Sequence, residues 1–167
     1  MNDPETNRVH TVTWEDPQLS RRDAAVISGL DYLLALKEGK IKLPPVAMLV
    51  GYRIREVERG RAVFELEPAE YHYNPFATVH GGIMSTVLDS AMTAAVLSTL
   101  QIGFGCSTLE LKVNFVRPVT GAVGVLRAEG SVIHVGSSIA TAEGKLLDGR
   151  RKLYAHAVTT CAISSSR

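Results

Sequence analysis

Gly81-Gly82-Ile83-Met84-Ser85-Thr86-Val87-Leu88-Asp89-Ser90-Ala91-Met92-Thr93-Ala94-Ala95-Val96-Leu97-Ser98-Thr99-Leu100 is the most apolar segment of the chain. Read as a helix, it places Ile83, Met84, Val87, Leu88, Met92, Ala95, Val96 and Leu100 on nearly every side. A surface helix confines its apolar residues to one stripe, so a helix apolar all round is one that other elements wrap. A membrane span would be longer and purer than this run, which is rich in Ala, Ser and Thr and carries Asp89. Asp89 is the one charged residue between His80 and Leu100. A carboxylate taken from water without partners is strongly disfavoured, and Val87, Leu88 and Met92 cannot compensate it. Asp89 is therefore either a hydrogen-bonded core residue or the acid of a working cavity.

Strand signals surround this segment. Downstream, residues 107–116 alternate, with Leu109, Leu111, Val113 and Phe115 on one face and Thr108, Glu110, Lys112 and Asn114 on the other. Pro118 ends that run. Residues 123–135, 138–147 and 152–163 read as further strands, separated by turns at Gly136-Ser137 and Asp148-Gly149. Upstream, residues 51–58 and 61–67 flank Arg59-Gly60 and read as a hairpin. Residues 70–79, with His72, Tyr73, Asn74 and Pro75, read as a loop. An amphipathic helix is expected over residues 24–36 with Asp23 as its N-cap, closed by Leu43-Pro44-Pro45 and followed by a helical turn at residues 46–50. Residues 1–22 read as an arm that Trp14 anchors. The whole is an α+β domain over residues 23–167, with one curled antiparallel sheet around a long central helix.

Composition narrows the partners. The 167 residues are 46% apolar and 21% charged with a formal net charge of +1, which argues against a surface for nucleic acid. A local arginine such as Arg117, Arg150 or Arg151 can still hold a phosphate. The polar, mixed-charge first ten residues lack the order of a secretory signal, and with no membrane span in sight the expected location is cytoplasmic. Cys106, after a Gly-Phe-Gly loop, and Cys161, in an apolar run, show no metal-ligand spacing. His72, His134 and His156 show none either. No metal and no cofactor is indicated.

The chemistry gathers at residues 73–90. Gly81 and Gly82 open the helix, where backbone N–H groups lack intrahelical partners and the dipole favours negative charge. Two glycines there serve either as a tight turn or as an oxyanion cradle that a ligand can approach closely. Gly81 and Asp89 are eight residues apart, about 12 Å along a helix axis. Both cannot easily reach one reacting centre from a single chain. Two helices packed antiparallel about a two-fold axis would bring Gly81 of one protomer near the acid of the other, so joint action implies a homodimer with shared sites.

Asn74-Pro75-Phe76-Ala77-Thr78-Val79-His80-Gly81-Gly82 continuing to Asp89, followed by Thr108-Leu109-Glu110-Leu111-Lys112-Val113-Asn114-Phe115-Val116-Arg117-Pro118, resembles the PaaI-type hotdog thioesterases. The element order matches over residues 44–164. The resemblance implies the hotdog fold and hydrolysis of an acyl-CoA to a free acid and coenzyme A. It implies that Gly81 donates its N–H to the thioester carbonyl and that Asp89 is the nucleophile or general base. Asn74 and His80 would orient the loop and substrate, beside Gly82, and a scaffolding role suits His80 better than general-base work. Thr108 would position water or the carboxylate, with Ser107 as the adjacent candidate if the register slips. Thr93 occupies the position where another hotdog branch carries a threonine, one turn after its helix acid. The assembly expected is a homodimer, itself paired into a homotetramer. A non-catalytic acyl-CoA-binding protein and an enoyl-CoA hydratase on the same fold are the alternatives.

Overall fold

The computed structural model of the protein describes residues 8–165. Three helices, α1 (Pro17–Ala24), α2 (Gly29–Lys37) and α3 (Pro45–Val50), precede a hairpin of β1 (Arg53–Glu58) and β2 (Arg61–Leu66). The long helix α4 (Gly81–Leu97) follows, then β3 (Phe104–Phe115), β4 (Leu126–Val135), β5 (Ile139–Leu147) and β6 (Leu153–Ser165). All strands pair antiparallel in one sheet of order β1-β2-β4-β5-β6-β3. The sheet curls around α4 as the all-round apolar pattern requires. Among the described residues no helix is long and apolar enough to cross a membrane.

The seat of α4 is set by glycine. A Cβ on Gly130 of β4 would lie 2.4 Å from the Ala91 carbonyl oxygen, and one on Gly144 of β5 would lie 3.0 Å from Met92. The two glycines let the helix backbone sink onto the sheet, where Val87, Leu88, Ala91, Met92, Ala95 and Val96 are fully buried. Each buried large apolar side chain contributes about 1.5–3 kcal/mol.

The leading region departs from the sequence reading. Residues 17–22, read as arm, are helical, because Asp16 accepts a hydrogen bond from the Gln18 N–H and Pro17 sits in the first turn, where its missing donor costs nothing. The arm's first seven residues lie outside the described residues. Trp14 is exposed. The single helix expected over residues 24–36 is two helices, broken at residues 25–28, and the N-cap of the second is Ser28, not Asp23. Helix periodicity runs unbroken through Ala24, Ala25 and Ile27, but a tertiary contact overrides it. The Gly29 N–H donates to the Leu100 carbonyl at 3.1 Å, and a Cβ on Gly29 would come within 1.9 Å of the Leu97 oxygen. The chain must turn there to dock on the end of α4. The Gly-Phe-Gly segment before Cys106 is likewise less of a loop than expected, since β3 already begins at Phe104.

The loop before α4 is pinned from inside. His72 is buried, its Nδ1 accepting from the Ala69 N–H at 3.0 Å and its Nε2 donating to the Val50 carbonyl at 3.0 Å. The His80 N–H donates to the His72 carbonyl and the Val79 N–H to the Val119 carbonyl. These bonds fix the point at which α4 begins.

Candidate active site

Asp89 lies midway along α4, half-buried, and its Oδ1 accepts a hydrogen bond of 2.8 Å from Thr108 Oγ1. Thr93 Oγ1, one turn further along α4, stands 3.3 Å from Thr108 Oγ1. The three side chains form one polar cluster on the inner side of β3.

That arrangement contradicts the strict alternation read from the sequence. Thr108 pairs with Cys161 and Glu110 with Thr160, so Leu109 is an extra residue, a β-bulge. Cys161 is fully buried and Leu111 pairs with buried Thr159. Thr108 therefore shares the inward face with Leu111, Val113 and Phe115, while Leu109 is 62% exposed. A bulge re-aims side chains next to it, and here it turns a hydroxyl onto the carboxylate. Ser107 borders the same cavity but pairs with Ala162 on the opposite side of the pleat, and among the described residues it makes no hydrogen bond to Asp89.

The cluster stands at a cavity of about 440 Å³. Its walls come from α4, from β1 and β2 (Ile54, Phe64), and from the leading helices (Tyr32, Leu33 and Leu36 of α2, Ala47 of α3). Tyr52 and Ser90 line it as well, joined by a bond of 2.9 Å in which Ser90 Oγ donates to the Tyr52 oxygen. Neither was legible as a site residue. Tyr52 follows Gly51 at the start of a strand and Ser90 is one of several small polar residues of the helix, so no spacing marked them. Cys106 also borders the cavity, its thiol donating to the Thr93 carbonyl at 3.8 Å. A hydrogen bond with Cys161, then burial, hold the Cys106 thiol well above the ordinary thiol range, so it stays protonated and a poor nucleophile.

The helix start is a separate place. His80 caps α4, its Nδ1 accepting from the Gly82 N–H at 2.9 Å. The imidazole thus caps the turn. The Gly81 N–H has no partner among the described residues. A Cβ on Gly81 would stand 3.1 Å from the Phe115 ring, and one on Gly82 would stand 2.9 Å from His80 Nδ1. Asn74 fastens the preceding loop: its Oδ1 accepts from the Phe76 N–H at 2.8 Å and its Nδ2 donates to Thr78 Oγ1 at 3.0 Å. Gly81, Asn74, Phe115 and Arg117 line a cavity of about 370 Å³ that Asp89 does not reach. Within one chain the structure thus brings Asp89, Thr93 and Thr108 together, and Asn74, His80, Gly81 and Gly82 together, at two distinct cavities. Of the arginines singled out, Arg117 donates to the Leu153 carbonyl and Arg151 pairs with Glu129 at 2.8 Å.

Known proteins share this architecture. A thioesterase superfamily model matches residues 76–155, from the loop before α4 to β6. The chain is 30% identical over 121 residues to a 1,4-dihydroxy-2-naphthoyl-CoA hydrolase of Listeria monocytogenes, covering 71% of this chain and 94% of that protein. Among solved structures, a phenylacetic acid degradation-related protein of Ralstonia eutropha JMP134 superposes with a TM-score of 0.71 at 31% identity, over 78% of this chain and 98% of that one. The PaaI protein of E. coli superposes with a TM-score of 0.70 at 20% identity, over 81% and 95%, a likeness of fold. With a hotdog fold, a half-buried acid on the wrapped helix and these relatives, the chain belongs to the thioesterase superfamily and is a thioester hydrolase.

Proposed function

We propose that the protein hydrolyses an acyl-CoA thioester to the free acid and coenzyme A, with Asp89 as the attacking or base-acting group. The observation that carries this reading is the Asp89–Thr108 hydrogen bond at the mouth of an apolar cavity. An acid in an apolar helix, oriented by one hydroxyl and bordering a chamber of acyl-group size, supports a chemical role over a packing one. Its carboxylate either attacks the carbonyl carbon or takes a proton from the water that does. The carbon–sulfur bond breaks and the thiolate leaves and is protonated; where the carboxylate itself attacked, water then cleaves the mixed anhydride and frees Asp89, and by either route the acyl group departs as the acid. Thr108 orients the carboxylate, with Thr93 behind it. A substrate esterified to coenzyme A fits the Listeria relative and fits a cytoplasmic location.

The oxyanion donor in this reading is the Gly81 N–H of a partner protomer. β3 supports it. It is the end strand of the sheet and runs for 12 residues, with exposed Phe104, Leu109 and Phe115 along it. A long bare edge invites pairing with another strand. Two copies joined antiparallel at β3 would continue the sheet and set their α4 helices antiparallel, bringing together the two cavities that one chain keeps apart. Pairing of such dimers into a tetramer extends the same proposal.

Thiol release from a panel of acyl-CoA esters tests the activity. Asp89→Asn is expected to lower kcat by about a hundredfold or more with an unchanged far-UV circular dichroism spectrum, and turnover near that of the parent protein would remove Asp89 from the reaction. Tight acyl-CoA binding with no thiol release would favour a sensor, and water addition to an enoyl-CoA would favour a hydratase.

A further inference from the structure

The first described residues of the arm grip the molecule at one place. Arg8 Nε donates to both carboxylate oxygens of Glu70, at 2.8 and 2.9 Å. The His10 ring stacks on Tyr71, with centroids 3.8 Å apart and planes 16° from parallel. Tyr71 in turn stands edge-on to the buried His72, with centroids 4.3 Å apart. Glu70, Tyr71 and His72 make up a single 3-10 turn, so the arm holds two consecutive residues of it.

That turn is the foot of the loop that presents the start of α4. The His72 carbonyl accepts from the His80 N–H at 2.8 Å, and Tyr73 and Val79 bridge the two sides of the loop beyond it. His80 is the N-cap, and Gly81 with its free N–H comes next. On the inner side the turn is fastened by the His72 ring to Val50 and Ala69. On the outer side the Glu70 carboxylate bonds, among the described residues, only to Arg8. A cavity of about 550 Å³ is lined by Arg8, Val9 and His10 together with Tyr73, Asn74 and Pro75, so the arm grips the loop at its foot and leaves open space beside its tip. An exposed ion pair is weak alone and is screened by salt, and the ring stack reinforces it at the neighbouring residue. A weak grip suffices here, because a misplacement of about 1 Å at a reacting centre costs about a hundredfold in rate.

We infer that Arg8 and His10 are positioning residues for thioester hydrolysis. Through Glu70 and Tyr71 they steady the link between His72 and His80, and with it the pose of the Gly81 N–H that receives the oxyanion. Neither side chain acts on the substrate itself. The inference rests on the reading of Gly81 as oxyanion donor and adds to it a part of the chain outside the strands and the central helix.

The test uses the full chain, with thiol release from an acyl-CoA panel that includes octanoyl-CoA and benzoyl-CoA, and amide hydrogen exchange of the same proteins without substrate. Arg8→Ala/His10→Ala is expected to lower kcat by about tenfold with KM within about twofold. The swapped pair Arg8→Glu/Glu70→Arg is expected to recover most of what Arg8→Glu loses. His10→Phe, which keeps a ring on Tyr71, is expected to stay within about twofold of the parent. In the double alanine variant the His80 and Gly82 amides are expected to exchange about fivefold faster or more, while the Leu88 and Ala91 amides in mid-helix keep their protection. A kcat within twofold of the parent, a loss confined to KM, a swap without rescue, unchanged exchange at His80 and Gly82, or faster exchange along the whole helix each overturns the assignment and leaves the thioesterase reading standing. Absence of thiol release from every member of the panel defeats that reading instead, and exchange then decides the role of the arm: a loss of protection confined to the helix start upholds it, and no such loss overturns it.

Discussion

Thr108 donates its one proton to Asp89, and this bond sets the orientation of the acid. A hydrogen bond to a charged acceptor is worth about 1.5–3 kcal/mol, which converts to roughly ten- to a hundredfold in rate if it holds the carboxylate in its reactive pose. Thr108→Val, nearly the same shape without the hydroxyl, is expected to lose that much in kcat with little change in KM, measured by thiol release. A loss confined to KM would assign Thr108 to substrate binding. His72 works at the same scale on stability. Burial, more than its bond to the Val50 carbonyl can offset, holds its pKa below the ordinary 6.5. Below pH 6.5 the unfolded chain therefore binds more protons than the folded one, and folding stability declines as pH falls through the folded-state pKa. Above that window His72 is neutral in both states and the contribution is complete. Urea midpoints measured between pH 7 and pH 5 should fall, and the fall should be shallower in His72→Gln.

Elements were readable where one face decides them and unreadable where a distant contact does. The apolar girdle of residues 81–100 announced a wrapped helix, and α4 ends three residues earlier, at Leu97. The same girdle made Asp89 conspicuous, since a lone acid among Val87, Leu88 and Met92 has few structural excuses. Thr108 could be named but not oriented. Strict alternation turns it away from the helix, and the bulge at Leu109 is invisible in a pattern that counts residues without knowing their pairing. The break between α1 and α2 was hidden for a related reason, because it answers to Leu97 and Leu100 about 70 residues away and not to local propensity. Gly130 carries the equivalent constraint in the sheet. Gly130→Ala would drive a methyl into the Ala91 carbonyl and is expected to cost about 3 kcal/mol, seen as a Tm lower by roughly 6–12 °C. A Tm within 2 °C of the parent would mean that α4 can lift from β4 without loss.

At the scale of the whole molecule the two cavities pose one question: whether they are halves of a shared site. Subunit mixing answers it. Asp89→Asn and Gly81→Val protomers would each be inactive alone, the first for want of the acid and the second because its side chain meets Phe115 and covers the free N–H. Refolded together in equal amounts they should recover about a quarter of parental activity, since half the dimers are mixed and each mixed dimer has one intact site out of two. Zero recovery, with mixed dimers verified by mass, would place the whole reaction within a single chain.

The contact of Gly29 with the end of α4 carries a last implication for the room a bulky acyl group is given. Where α2 begins, its backbone touches the Leu97 carbonyl with no room for even a methyl and is bonded to Leu100, so that end is fixed against α4. Where α2 finishes, Gly39 has open space around it, and residues 38–44 lead to the Pro44 wall of the chamber. Leu36, Ile41 and Leu43 pack on the core beside that segment, so the roof is fastened at both ends and the room it leaves for an acyl chain is bounded by where the Gly29 contact lets α2 sit.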